Sequence, residues 1–380
     1  MPAGYLITVL LVAAATAAAV WPRPTNGPHT TPSFVLGTLG NEIPFALTWY
    51  LILATWLAWD AGDLTSPAGW AMAGLAAVTV AGLAWIAWQS TRASGILDAA
   101  LDTTLGTDRP RASRLHHRLR SAWALVAPLR VPNPRIQRTR NLRYGPSKRW
   151  NRLDVYRRRD AISAPTLLYF HPGGFRSGSK NRQSKLLLEA LAARGWVCVS
   201  ADYHLRTEYP NILIDAKRAI AWVRTEGAAY GADPGTLAIV GGSAGAHLAV
   251  NCGLSAGQPE LQPGFESIDT SVSAVIGLYG YYGRAFGQHP SAPEDFTGSA
   301  LPPLLVVHGE KDPMASVGHV REFVAAMRAR DESPVAYAEL PAAGHNVDLF
   351  ASLRHAAITT AVLEFTDWLT ANRHHEEPAE

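Results

Sequence analysis

The chain has 380 residues, 48 % of them apolar, and a formal net charge of +3, enough for one large domain and further elements. Its charge is uneven: Arg109–Arg159 holds 16 Lys and Arg against one acid, Asp154, whereas Arg23 is the single basic residue of the first ninety. Two cysteines, Cys198 and Cys252, with no CxxC and no His/Cys cluster at zinc spacing, argue for small core hydrophobes and against a disulfide framework or a zinc site.

Three uncharged runs open the chain, at residues 3–20, 43–59 and 68–88. About 17–25 apolar residues suffice for a transmembrane helix. Trp21, Trp49, Trp59, Trp70 and Trp88 sit at or near their ends, as interfacial aromatics do. The first run has an alanine-rich end like a signal peptide, but no positive residue precedes it, which argues against cleavage. Residues 1–90 are therefore expected to be a multi-pass membrane region. Arg23 and Arg92 flank the runs, while the loop DAGDLTSP, residues 60–67, carries two Asp and no base. The positive-inside rule then places the N-terminus outside and the C-terminal domain in the cytoplasm.

Residues 91–134 are expected to be a basic juxtamembrane connector. Within it Leu115, Leu119, Ala122 and Val126 recur at helical spacing, with Arg111, Arg114, His117 and Arg118 on other faces. Beside a membrane such a helix meets anionic lipid. No nucleic-acid motif accompanies the charge, so nucleic acid is not expected as a partner.

From Pro134 strands and helices alternate. QRTRNLRYG and NRLDVYRR read as strands, as do APTLLYFH, WVCVSADY, TLAIVG, SAVIGLYG, PPLLVVHG and VAYAEL. The intervening RQSKLLLEALAARG, NILIDAKRAIAWVRTEGAAYG and VREFVAAMRAR read as helices, with a last helix through Ala371. Strands separated by helices predict an α/β fold, a mostly parallel sheet covered on both faces. This domain is expected over residues 135–373, ahead of an acidic tail at 374–380.

In AIVGGSAGAHLAV, residues 238–250, a strand hands over to a helix through Gly-Gly-Ser-Ala-Gly. Such a junction either cradles a phosphate or presents a nucleophile. A dinucleotide site asks for an acid at a strand end about 20 residues on. Only Glu260 and Glu266 fall there, in a Gly/Pro/Gln-rich loop. A nucleophilic Ser243 asks instead for a later acid and then a histidine, each just beyond a strand. Asp312 after PPLLVVHGEK and His345 after VAYAELPAAG meet that demand in the required order. Glu310 and His308, His319 and His355 are less well placed, and His247 reads as a packing residue. HPGGF, residues 171–175, follows another strand and can offer backbone N–H groups to an oxyanion.

Taken together, HPGGF, ADYHL, DAKRAIAWVRTEGAAYGADP, GGSAGAHLA, HGEKD and AAGH over residues 135–372 resemble the α/β-hydrolase esterases of the hormone-sensitive-lipase and carboxylesterase-like branch. The resemblance implies Ser243 as nucleophile, His345 as general base and then acid, and Asp312 as its orienter. It implies Gly173, Gly174 and Ala244 as the oxyanion hole. Pro172 stands where the family usually has the first glycine and cannot donate an N–H. His171, Phe175, Asp202 and Tyr203 are expected to brace the loops or line the pocket. The expected substrate is a small-molecule or lipid ester that partitions into lipid, with a short or medium acyl chain, an acylglycerol or an acylated lipid intermediate; membrane lipids are further partners, and no metal or organic cofactor is required. No long lid is evident. Residues 256–300, with Phe265, Tyr281, Tyr282 and Phe286, are expected to form a small cap. An arylformamidase-type amide hydrolase and a non-catalytic hydrolase-like scaffold are the alternatives. The sequence does not specify an oligomeric state.

Overall fold

The computed structural model describes residues 3–24, 32–126 and 133–376. Helices α1 (Ala3–Val20), α2 (Pro32–Glu42), α3 (Pro44–Asp60) and α4 (Pro67–Thr91) form an N-terminal unit. By length and composition, two helices can cross a membrane: α1, and α4 continued into α5 (Ala93–Leu105). The pair α2–α3, bent by 92°, makes a third candidate if it counts as one span. Pro44 explains the bend. It has no N–H to donate back into α2, and it forces Ile43 out of helical geometry, to φ −126° and ψ 43°. At the start of α4, the Ser66 side chain caps the Gly69 N–H at 3.1 Å and Pro67 occupies the first helical position, where no N–H is needed.

Helix α6 (Arg114–Val126) leads to the sheet. The side chains of Arg114, His117 and Val126 fall outside the described residues, while Leu115 and Leu119 are exposed. Strands β1 (Ile136–Arg143), β2 (Arg152–Arg158) and β3 (Ala164–Phe170) precede helix α7 (Lys185–Ala193) and strand β4 (Val197–Ala201). Helix α8 (Tyr209–Glu226), strand β5 (Ala232–Gly242) and helix α9 (Ala244–Leu254) follow. The chain then runs through β6 (Ala274–Leu278), β7 (Leu304–Gly309), α10 (Val317–Arg330), β8 (Val335–Leu340) and α11 (Leu353–Glu376). The eight strands form one sheet in the order β1-β2-β4-β3-β5-β6-β7-β8. Strands β1, β2 and β4 pair antiparallel, and from β4 onward every pairing is parallel. With the helices on both faces, this is the α/β-hydrolase fold.

Side chains alternate across the pleat, so each central strand feeds two cores. Leu168, Phe170, Leu237 and Ile239 enter one core with α8, α9 and α10. Leu167, Tyr169, Ala238 and Val240 enter the other, with α7 and α11. Helix α5 belongs to the second core through Ala93, Leu97 and Leu101, which are buried to 1 % exposure or less. This segment was expected as part of a connector. The structure instead lays it on the sheet and ties the following loop to α11, where buried Arg109 pairs with Glu364. The expected acidic tail is helical as far as Glu376, and residues 377–380 lie outside the described residues.

Candidate active site

Three parallel strands deliver the expected residues to one rim. Ser243 sits between β5 and α9 at φ 53° and ψ −118°, a conformation L-residues rarely adopt. The flanking glycines make that turn possible. A Cβ on Gly241 would fall 2.1 Å from the Gly245 carbonyl carbon, and one on Gly245 would fall 2.0 Å from the Phe170 carbonyl oxygen. The helix beginning at Ala244 leaves that residue's N–H without an intrahelical acceptor.

Asp312 follows β7 and His345 follows β8. The His345 ring lies 2.6 Å through Nδ1 from Asp312 Oδ2 and 2.9 Å through Nε2 from Ser243 Oγ. The other carboxylate oxygen, Oδ1, accepts from the backbone N–H groups of Met314 and Ala315 at 2.8 and 2.9 Å. Burial pushes the Asp312 carboxyl up, but the imidazoles of His345 and His308 and the backbone donors outweigh it and hold the group below its ordinary value. An ionised carboxylate fixes one imidazole nitrogen as N–H donor and leaves the other facing the hydroxyl. That arrangement can draw a proton from Ser243 as its oxygen attacks a carbonyl.

The loop after β3 completes the site. Pro172, Gly173 and Gly174 border one cavity of about 270 Å³ together with Ser243 and His345. Gly173 has φ 133° and Gly174 φ 59°; a Cβ on Gly173 would meet the Ser177 carbonyl oxygen at 2.0 Å. The Pro172 carbonyl is engaged by the His171 ring, Nδ1 to O 2.8 Å. None of His171, Phe175, Asp202 and Tyr203 borders the cavity. Tyr203 stacks on His171 at 4.3 Å and its hydroxyl donates to the His171 carbonyl at 2.6 Å. Asp202 accepts from the Lys180 N–H at 2.7 Å and its ammonium at 3.2 Å. Phe175 packs edge-on against Tyr209 and His247.

The competing residues have other partners. Glu310 accepts from the Ala342 N–H at 3.0 Å. His308 contacts the Ala315 carbonyl at 2.9 Å, and His355 the Phe350 carbonyl at 2.9 Å. His247 lies buried between the Tyr209 hydroxyl at 3.0 Å and the Gly283 carbonyl at 2.9 Å. Burial pushes its imidazole from 6.5 down to about 4. In the unfolded chain it protonates near pH 6.5, so its contribution to stability is full above that pH and is lost as the pH falls toward 4. The urea midpoint should fall across this window, and His247→Gln should flatten that slope.

Sequence reasoning missed the cavity's cover. No residue of 256–300 borders the cavity: Tyr282 stacks on Phe323 at 3.9 Å, and Phe286 packs on Phe175. The cover comes from α2, through Phe34, Val35, Thr38 and Leu39, joined by Met314 and Leu349. It also missed Tyr279, whose ring meets His345 edge-on at 4.8 Å and whose hydroxyl donates to buried Asp348.

The BD-FAE family profile matches residues 153–283. Esterase LipQ of Mycobacterium tuberculosis is 37% identical over 316 residues, covering 73% of this chain and 75% of that protein. The same organism's probable carboxylic ester hydrolase LipM is 33% identical over 98% of this chain and 94% of its own length, so the likeness runs through the N-terminal helices. Among solved structures, Thermogutta terrifontis esterase 2 phosphorylated by paraoxon aligns with a TM-score of 0.52 and 26% identity, over 60% of this chain and 92% of its own. Its apo form aligns with a TM-score of 0.51 and 26% identity, over 62% and 95%. The chain belongs to this family of esterases and is a serine hydrolase of the carboxylesterase/lipase type.

Proposed function

We propose that the protein is a membrane-anchored carboxylic ester hydrolase in which Ser243 is the nucleophile, His345 the proton carrier and Asp312 its orienter. The observation that carries the reading is the unbroken hydrogen-bonded path from Ser243 Oγ through the His345 ring to Asp312. Ser243 Oγ bonds to the ester carbonyl carbon as its proton passes to His345 Nε2. The N–H groups of Gly173, Gly174 and Ala244 receive the negative charge on the carbonyl oxygen. As the bond to the leaving oxygen breaks, His345 returns the proton and the alcohol departs. Water then attacks the acyl-serine, His345 takes its proton and gives it to Ser243 Oγ, and the carboxylic acid leaves.

Anchoring is supported by the outward apolar surface of the N-terminal helices, where Leu11, Leu53, Trp56 and Val78 are each more than half exposed. Contacts between Tyr5 and Thr55 at 3.2 Å, and between Thr8 and Tyr50 at 3.3 Å, set α1 antiparallel to α3. That fits alternate crossings, and the basic flanks at Arg23 and Arg92 then favour the cytoplasmic side for the catalytic domain. Parallel assays of the reconstituted protein on an aryl acetate and a formyl anilide test the chemistry. Ester turnover well above anilide turnover is expected; the reverse would favour the amide-hydrolase alternative.

A further inference from the structure

We propose that the substrate is a bilayer-resident ester with a long acyl chain, and that α2 is the wall along which this chain lies. The inference rests on the ester-hydrolase and membrane readings above. Phe34, Val35, Thr38 and Leu39 stand at i, i+1, i+4 and i+5, one face of α2, and that face borders the cavity holding Ser243 and His345. The Phe34 ring lies 6.2 Å from the His345 ring. The wall is thus within one side chain of the reacting atoms.

The wall is fastened to the membrane unit. On α2, a Cβ at Gly40 would fall 2.6 Å from the Ala15 carbonyl oxygen of α1, and one at Gly37 would fall 3.0 Å from that of Ala18. Small residues let two helices touch at this distance. The last residue of α1, Val20, accepts from Lys311 Nζ at 2.8 Å, and the same ammonium lies 5.4 Å from the Trp85 ring of α4. Lys311 adjoins Asp312, so the end of α1 and the Trp85 side chain of α4 meet the catalytic domain at the rim of the site. An ester in the adjoining leaflet has a short path to Ser243.

The lining chemistry agrees. Apolar side chains come from α2 and from Met314, Leu349 and Phe350; the loop after β3 contributes Ser177 and Arg182. Val35 at 45 % and Leu349 at 36 % exposure form an apolar mouth, an entrance that costs water contact unless a hydrocarbon chain or lipid covers it. The acyl chain fits the α2 side, and the alcohol portion faces the polar loop.

The full chain in phosphatidylcholine vesicles tests this with 4-methylumbelliferyl palmitate in the bilayer and 4-methylumbelliferyl acetate in the water. Leu39→Trp fills the groove, and Val35→Asp sets a charge at an exposed position of its mouth. Each is expected to lower kcat/KM for the palmitate at least about tenfold more than for the acetate. A wild type that cleaves the acetate and spares the palmitate overturns the inference. So does a palmitate-to-acetate ratio unmoved by both variants while a fluorophosphonate still labels Ser243. A wild type that cleaves neither ester and resists the label overturns the catalytic reading itself, and the inference with it.

Discussion

Ser243→Ala is expected to lower kcat on an aryl ester by on the order of 10⁶-fold, and Asp312→Asn by on the order of 10⁴-fold, with the fold intact in both. The two losses differ because the two groups do different work. In the proposed mechanism, removing Oγ removes the atom that bonds to the carbonyl carbon. What remains is the oxyanion site and substrate binding, which sustain only slow attack by water. Asp312→Asn keeps the volume and most hydrogen bonds. Oδ1 accepts from the Met314 and Ala315 N–H groups, so the amide oxygen must stay on that side. The amide NH₂ then faces His345 Nδ1, where the carboxylate oxygen stood at 2.6 Å. It donates where the native group accepts and imposes the tautomer whose Nε2 carries the proton. His345 then cannot take the Ser243 proton. Steady-state kinetics of purified variants, with circular dichroism as the fold control, measures both. Equal, small losses would remove the basis for the assigned roles.

Arg354→Met is the second large effect, and it acts on the fold. Arg354 on α11 is 1 % exposed. Its guanidinium donates to the Asn41 carbonyl at 2.8 Å and lies 3.5 Å from Glu42 Oε1, and the Glu42 side chain is itself 1 % exposed. Removing the cation strands a buried carboxylate, at a cost of roughly 3–5 kcal/mol. Since Glu42 ends α2, the loss should loosen the cover of the cavity before it unfolds the sheet. The double variant Arg354→Met with Glu42→Leu removes both charges and should recover most of the stability. Thermal unfolding in detergent reads this directly. A double variant no more stable than Arg354→Met would show that the charge pair is not what holds α2.

The sheet and its rim were legible in the sequence because local signals and tertiary demands agree there. Strand runs such as APTLLYF and TLAIVG are continuously apolar because both faces of a parallel sheet are buried. The glycines around Ser243 are legible because a tight turn admits nothing larger. Helix α2 was illegible for a physical reason. Gly37 and Gly40 lower intrinsic helix propensity, so PSFVLGTLGNE reads as loop. Their value appears only once α1 is packed against them. Helix α5 had a signal, with Ala93, Leu97 and Leu101 four residues apart, but the basic block beside it dominated the reading. Tyr279 and Asp348 lie 69 residues apart and meet only through the fold.

In the proposed mechanism one hydroxyl, Ser243 Oγ, carries the acyl group. Peptide mass spectrometry of the intact protein after reaction with a fluorophosphonate tests it most directly. A single adduct is expected on the peptide containing Ser243, absent in Ser243→Ala. An adduct on another residue, or one that persists in Ser243→Ala, would contradict it.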